Sequence, residues 1–94
     1  MWLGLDIGTS AVKTVIFDAA GGTAARSSVP LTISRPRPGW SEQSPQDWWQ
    51  TTVSALTARP EKLRATVHRV GLTGQMHGAV LLDAGDRVLR PAIL

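Results

Sequence analysis

The chain has no cysteine among its 94 residues, which excludes disulfides and zinc–thiolate sites and only weakly favours a reducing compartment. It has no apolar run long enough to cross a bilayer, so no membrane partner is expected. The start is no signal peptide, because Asp6 interrupts the opening apolar run after five residues; a cytoplasmic protein is the expectation. Low-complexity tracts and internal repeats are also missing, which argues against disorder outside one loop. Last, there is no stripe of positive charge. A net charge of +3 and a pI near 10.7 invite a nucleic-acid reading. Yet the eight Arg and two Lys are scattered, with never more than two in five consecutive residues, whereas a surface that tracks a phosphate backbone needs a cluster. No nucleic-acid partner is expected. Ninety-four residues allow one small domain, which buries only about two-thirds of its unfolded surface, so the core is thin.

What is present is concentrated at the beginning. The short apolar strand Trp2-Leu3-Gly4-Leu5 stops at Asp6, a turn follows at Gly8-Thr9-Ser10, and a β-branched, aromatic strand runs from Val12 to Asp18. The two strands form a hairpin that holds the turn rigid. Successive N–H groups of Gly8, Thr9 and Ser10 can point into one concavity, a nest for anionic oxygens, with two hydroxyls beside it and Lys13 three residues on. The Asp6 carboxylate is a hard oxygen ligand of the kind that Mg²⁺ or its bound waters accept. Taken alone, the pattern is equally that of an ordinary hairpin whose Asp caps the turn.

Further along, Ala19-Ala20-Gly21-Gly22 is a turn and Thr23 to Ile33 reads as a third antiparallel strand, with Pro30 marking an edge or the end of pairing. Ser34 to Trp40, with two prolines, is an ordered but irregular loop and the segment with the most freedom. Ser44 as N-cap, Pro45 at the first position and Asp47 completing a capping box predict a helix to about Ala58. Its apolar face reads as Trp48, Trp49, Val53 and Leu56, with core packing favoured for Trp48 or Trp49. A helical turn at Glu61 to Arg64 precedes a strand from Val67 to Thr73, parallel to the first because the helix supplies the crossover. Gly78 to Leu82 and Arg87 to Leu89 read as a further hairpin. The closing residues head into another element without a cap, as if truncated.

After the parallel strand, Gln75, Met76 and His77 lie between Gly74 and Gly78, where the crevice of an α/β sheet receives its ligand. A sugar hydroxyl both donates and accepts, as a neutral imidazole does, and Met76 offers a polarizable apolar contact. The plainer reading makes Met76 core and His77 structural. Trp40 is an open question, and His68 is assigned no chemistry.

The Asp6-to-Lys13 pattern resembles the first phosphate motif of the actin-like ATPase superfamily, which has a ribonuclease-H-like fold. Gly39-Trp40-Ser41-Glu42-Gln43, Gly74-Gln75-Met76-His77-Gly78 and Leu81-Leu82-Asp83 through Arg90-Pro91-Ala92-Ile93-Leu94 then make nearly the whole chain similar to the N-terminal segment of the xylulokinase group in the FGGY family of carbohydrate kinases. The resemblance implies an α/β, ribonuclease-H-like lobe of β-β-β-α-β order with an added hairpin. It implies that residues 1–94 are the N-terminal part of the sugar-binding domain, without the nucleotide-binding C-terminal domain. It also implies ATP and Mg²⁺ as cofactors and transfer of phosphate to D-xylulose. Asp6 would be catalytic and metal-binding, Gly8, Thr9, Ser10 and Lys13 would hold the nucleotide phosphates, and Met76, His77 and, less directly, Gln75 would meet the sugar. The family's general base matches no carboxylate here, so the chain alone is expected to be inactive; a homodimer is left open. Another FGGY kinase, for gluconate, glycerol or a related polyol, and a non-sugar actin-like ATPase remain as alternatives. One departure is Ala11, where the family often has Gly, which would strain the turn if that position needed a positive φ.

Overall fold

Alternation along the second strand decides how the hairpin sits. The computed structural model describes all residues 1–94, and in it β1 (Trp2–Ile7), β2 (Ala11–Phe17) and β3 (Thr23–Pro30) form an antiparallel meander. Val12, Thr14 and Ile16 of β2 are buried, with Leu3 of β1 opposite Ile16, as a period of two demands of a strand with one covered face. The odd-numbered positions of β2 and the even ones of β1 share the other face. β1 runs through Asp6 to Ile7 rather than stopping before the carboxylate, because the register continues to Ile7–Val12. β3 ends at Pro30, not Ile33; the last tie beyond it is Leu31 N–H to Ser10 O at 2.8 Å.

The loop from Ser34 is closed by a pair of bonds between Ser34 and Glu42. Glu42 opens a two-residue strand, β4 (Glu42–Gln43), which the sequence pattern did not reveal. Then α1 (Pro45–Thr57) begins on Ser44 with Pro45 at its start, as expected, although no side-chain cap bond forms. Asp47 donates its backbone N–H to Ser44 O instead, at 3.0 Å, so the capping box is not made. Arg59-Pro60 ends the helix, since Pro60 has no N–H to continue it.

The buried face of α1 differs from the expectation. Thr52 and Ala55 are the buried residues, flanked by half-buried Trp48 and Leu56, while Trp49 is 65% exposed and Val53 also faces out. Small side chains at the contact let the helix axis approach β2 and β3, and the two large residues expected there project away. The short α2 (Glu61–Arg64) forms as read.

β5 (Arg69–Gly74) pairs with β1 in parallel, giving a four-stranded sheet in the order β3-β2-β1-β5. It starts two residues later than expected, so His68 lies before it; the His68 ring meets the Trp2 indole N–H at 3.2 Å and fastens the strand start. The expected hairpin over residues 78–89 is reduced to a turn with a single bridge, Leu82 to Val88, shaped by the Asp83 carboxylate accepting from the N–H groups of Gly85 and Arg87. Instead β6 (Ala92–Ile93) pairs with β4 in a separate two-stranded sheet. No helix is long and apolar enough to cross a membrane.

Candidate functional site

The hairpin turn between β1 and β2 is closed by Gly8 N–H donating to Ala11 O at 3.1 Å. Gly8 does not need a positive φ. Space is tight there: a Cβ would stand 3.1 Å from Ala11 O, so the turn would have to give by a few tenths of an ångström, and in ordinary contact, 3.8 Å, with Asp6 Oδ1. The second distance puts the Asp6 carboxylate beside Gly8. Ala11 begins β2 in extended pairing with Pro30, so the departure from Gly at this position causes no strain.

With Gly8 N–H engaged, the N–H groups of Thr9 and Ser10 are the two in the turn that donate to no protein atom. Together with the exposed Ser10 hydroxyl they form a donor cluster beside Asp6, suited to phosphate oxygens. Lys13 stands directly across from Asp6 in the β1–β2 register without forming an ion pair; the chain's ion pair joins Arg90 to Glu42.

The register carries this polarity across the sheet. Ser28 is opposite Lys13, Lys13 opposite Asp6 and Asp6 opposite Thr73, so four polar side chains from four strands form one row on the face away from α1. That face is an open trough of about 790 Å³, lined by Asp6, Lys13, Ser28 and Thr73 above a floor that includes Gly4, Val15 and Gly71. Thr73 escaped sequence reasoning because only the parallel register of β5 brings it to Asp6. Asp6 is a single carboxylate, and no group of three acidic, His or Cys residues gathers anywhere in the chain. A lone carboxylate is a hard oxygen ligand of the kind Mg²⁺ takes together with water and substrate phosphates.

The loop after β5 leans on the turn. Gln75 N–H donates to Ile7 O at 3.0 Å, continuing the β1–β5 ladder, and Thr9 Oγ1 donates to Gln75 Oε1 at 2.8 Å. A Cβ on Gly78 would lie 2.7 Å from Gln75 Nε2, so Gly78 makes room for this amide. Gln75 is therefore engaged within the protein, whereas Met76 is 79% exposed and His77 projects from a backbone at φ +64°. Left-handed φ is uncommon outside glycine and concentrates where surrounding structure enforces it. Trp40 lies outside this cluster, with the Arg37 guanidinium 5.1 Å from its ring.

Sequence reasoning also passed over Gln43. It is buried on β4, and its side chain joins Trp48 of α1 to the carbonyl of Thr9.

Comparison with known proteins gives the chain its family. The family model for the FGGY family of carbohydrate kinases, N-terminal domain, matches residues 1–94. The xylulose kinase of Escherichia coli is 50% identical over 95 residues, which take in all of this chain and 20% of that protein. Among solved structures, the "xyloylose kinase" of Brucella ovis superposes with a TM-score of 0.90 at 47% identity over 99% of this chain and 20% of its own. The xylulose kinase of Rhodospirillum rubrum superposes with a TM-score of 0.85 at 35% identity, covering 98% and 20%. The chain thus spans about a fifth of the length of these relatives. The end-to-end match of residues 1–94 to the family's N-terminal domain makes this chain a member of the FGGY family of carbohydrate kinases.

Proposed function

We propose that residues 1–94 supply the phosphate-facing and sugar-facing surfaces of an ATP-dependent kinase that converts D-xylulose to D-xylulose 5-phosphate. In this reading they are the first part of the sugar-binding domain of a ribonuclease-H-like, actin-like ATPase fold, completed by a nucleotide-binding domain outside this stretch. The enzyme is read as cytoplasmic. The observation that carries the proposal is the Thr9–Gln75 hydrogen bond of 2.8 Å, which joins the donor-rich turn to the loop bearing Met76 and His77. Phosphoryl transfer needs the anionic and hydroxylic partners to be held at fixed separation, and this bond fixes their two supports.

The free N–H groups of Thr9 and Ser10 bind phosphate oxygens, and Lys13 adds positive charge on the Asp6 side of the sheet. Gly8 contributes by its lack of bulk. Asp6 would hold Mg²⁺, which when bound neutralises charge on the phosphates. His77 donates to and accepts from sugar hydroxyls while Met76 covers the C–H side. Gln75 orients the loop from behind through Thr9. Each of the remaining carboxylates has another role that accounts for it: Asp18 and Asp83 cap turns, Glu42 is paired with Arg90, Asp47 and Glu61 open α1 and α2, and Asp86 lies in the turn closed on Asp83. The base comes from another part of the enzyme.

The test is a chimera in which residues 1–94 replace the matching N-terminal fifth of the Escherichia coli xylulose kinase. ATP-dependent phosphorylation is then measured on D-xylulose, glycerol and gluconate. Preference for D-xylulose is expected; preference for either other substrate would replace the xylulose assignment with that kinase, and failure on all three by a folded chimera would reject it.

A further inference from the structure

We propose that Gln43 is a positioning residue that aims the Ser10 N–H at the transferred phosphate. This rests on the reading of the turn as a phosphate site. Gln43 is 3% exposed, and a buried amide is costly unless its polar atoms are engaged. Here they are. Nε2 donates to Thr9 O at 2.6 Å and to Thr32 O at 3.4 Å, and Oε1 accepts from Trp48 Nε1 at 2.9 Å.

The orientation of this amide is forced by chemistry. An indole N–H only donates and a carbonyl oxygen only accepts, so the oxygen must face Trp48 and the nitrogen the two carbonyls. The backbone around Gln43 is held as well, by pairing with the fully buried Ala92. Gln43 is therefore a rigid strut between α1 and the turn.

The consequence follows from peptide geometry. The Thr9 carbonyl and the Ser10 N–H belong to one planar trans peptide and point in opposite directions. Pulling Thr9 O inward onto Gln43 turns Ser10 N–H outward, and that N–H has no partner within the chain. Ser10 O is fixed from its other side by Leu31 N–H at 2.8 Å, so the next peptide cannot swing to compensate. Thr9 also holds Gln75, so the strut fixes the sugar loop only through a second, separate bond.

In the same chimera, Gln43→Leu keeps the volume and removes all three hydrogen bonds. Loss of one aimed donor is expected to lower kcat on the order of tenfold to a hundredfold. The calorimetric Kd for D-xylulose should change by less than about twofold, and the Kd for a non-hydrolysable ATP analogue with Mg²⁺ should weaken. Gln43→Glu, which turns a carboxylate oxygen toward two carbonyls, should share the defect and so show that donation, not shape, matters. Ala55→Gly, a helix-face change destabilising to a similar Tm, serves as control and should keep kcat. The proposal is overturned if Gln43→Leu retains kcat, or if its losses in kcat and in both affinities match those of the control. Should Gln43→Leu fail to fold, Trp48→Phe, which frees the oxygen end of the strut, is read by the same criteria. An unsubstituted chimera that phosphorylates none of the three substrates rejects the kinase reading itself; an active one with an indifferent Gln43 rejects only the strut.

Discussion

Asp6 and His77 carry different roles in the proposed function, and their substitution should separate chemistry from sugar binding. Asp6→Ala in the chimera removes the carboxylate beside the turn proposed to hold phosphate and should lower kcat by about a hundredfold or more while the KM for D-xylulose stays nearly constant. His77→Ala removes the proposed hydroxyl partner, a loss of about 1.4 kcal/mol, so KM should rise about tenfold with kcat less affected. Steady-state kinetics on both variants checks the split, and equal small effects would refute the assigned roles. The His77 backbone allows a second reading of the same position. At φ +64° a side chain is strained by about 1 kcal/mol, so His77→Gly should be more stable to denaturant than His77→Ala by about that amount, though equally poor for sugar. If Gly and Ala unfold at the same denaturant concentration, the loop does not hold that conformation in solution.

At the scale of elements, α1 provides the sharpest contrast between pattern and packing. Ala55 is fully buried and Trp49 is 65% exposed. Ala55→Leu should therefore overpack the helix–sheet contact and cost about 1–3 kcal/mol, whereas Trp49→Ala should stay within about 0.5 kcal/mol of the parent; thermal unfolding of the chimeras compares them. The helix itself, its Pro45 start and its Pro60 stop were legible because proline and periodicity act locally. Which side faced the sheet was not, since Trp48, Trp49, Val53 and Leu56 are all apolar and only the sheet's shape decides among them. The meander and the parallel strand were likewise readable from alternation and from the crossover. β4 and β6 were not, because a two-residue strand has too few positions to show a period, and its partner lies 50 residues away in the chain. The site divides in the same way. Asp6 to Lys13 could be found from a contiguous motif, but Thr73 and Gln43 reach the turn only through long-range pairing, and a lone Thr or Gln carries no signal of its own.

The molecule as a whole is under-buried. Its radius of gyration is 15.3 Å, against about 12 Å for a compact chain of this length, and only eight of its 94 residues are buried. The reason is geometric. α1 packs on β2 and β3, leaving the helix-side residues of β5 without cover: Val70 is 60% and Leu72 70% exposed. β5 is also an edge, with β1 as its one neighbour, and a bare apolar edge strand templates pairing with other chains. Prepared alone, residues 1–94 should therefore phosphorylate no D-xylulose, bind a hydrophobic dye and self-associate as concentration rises. A lysine on the exposed edge should oppose that association, so Leu72→Lys is expected to raise the soluble, monomeric fraction of the isolated segment. In the chimera, where four-fifths of the kinase surrounds the segment, the same lysine is expected to be forced under cover and to lower the Tm. Sedimentation of the segment and thermal unfolding of the chimera measure the two effects. Opposite signs would show that this edge is buried by the rest of the enzyme; a chimera indifferent to Leu72→Lys would show that it stays open to water.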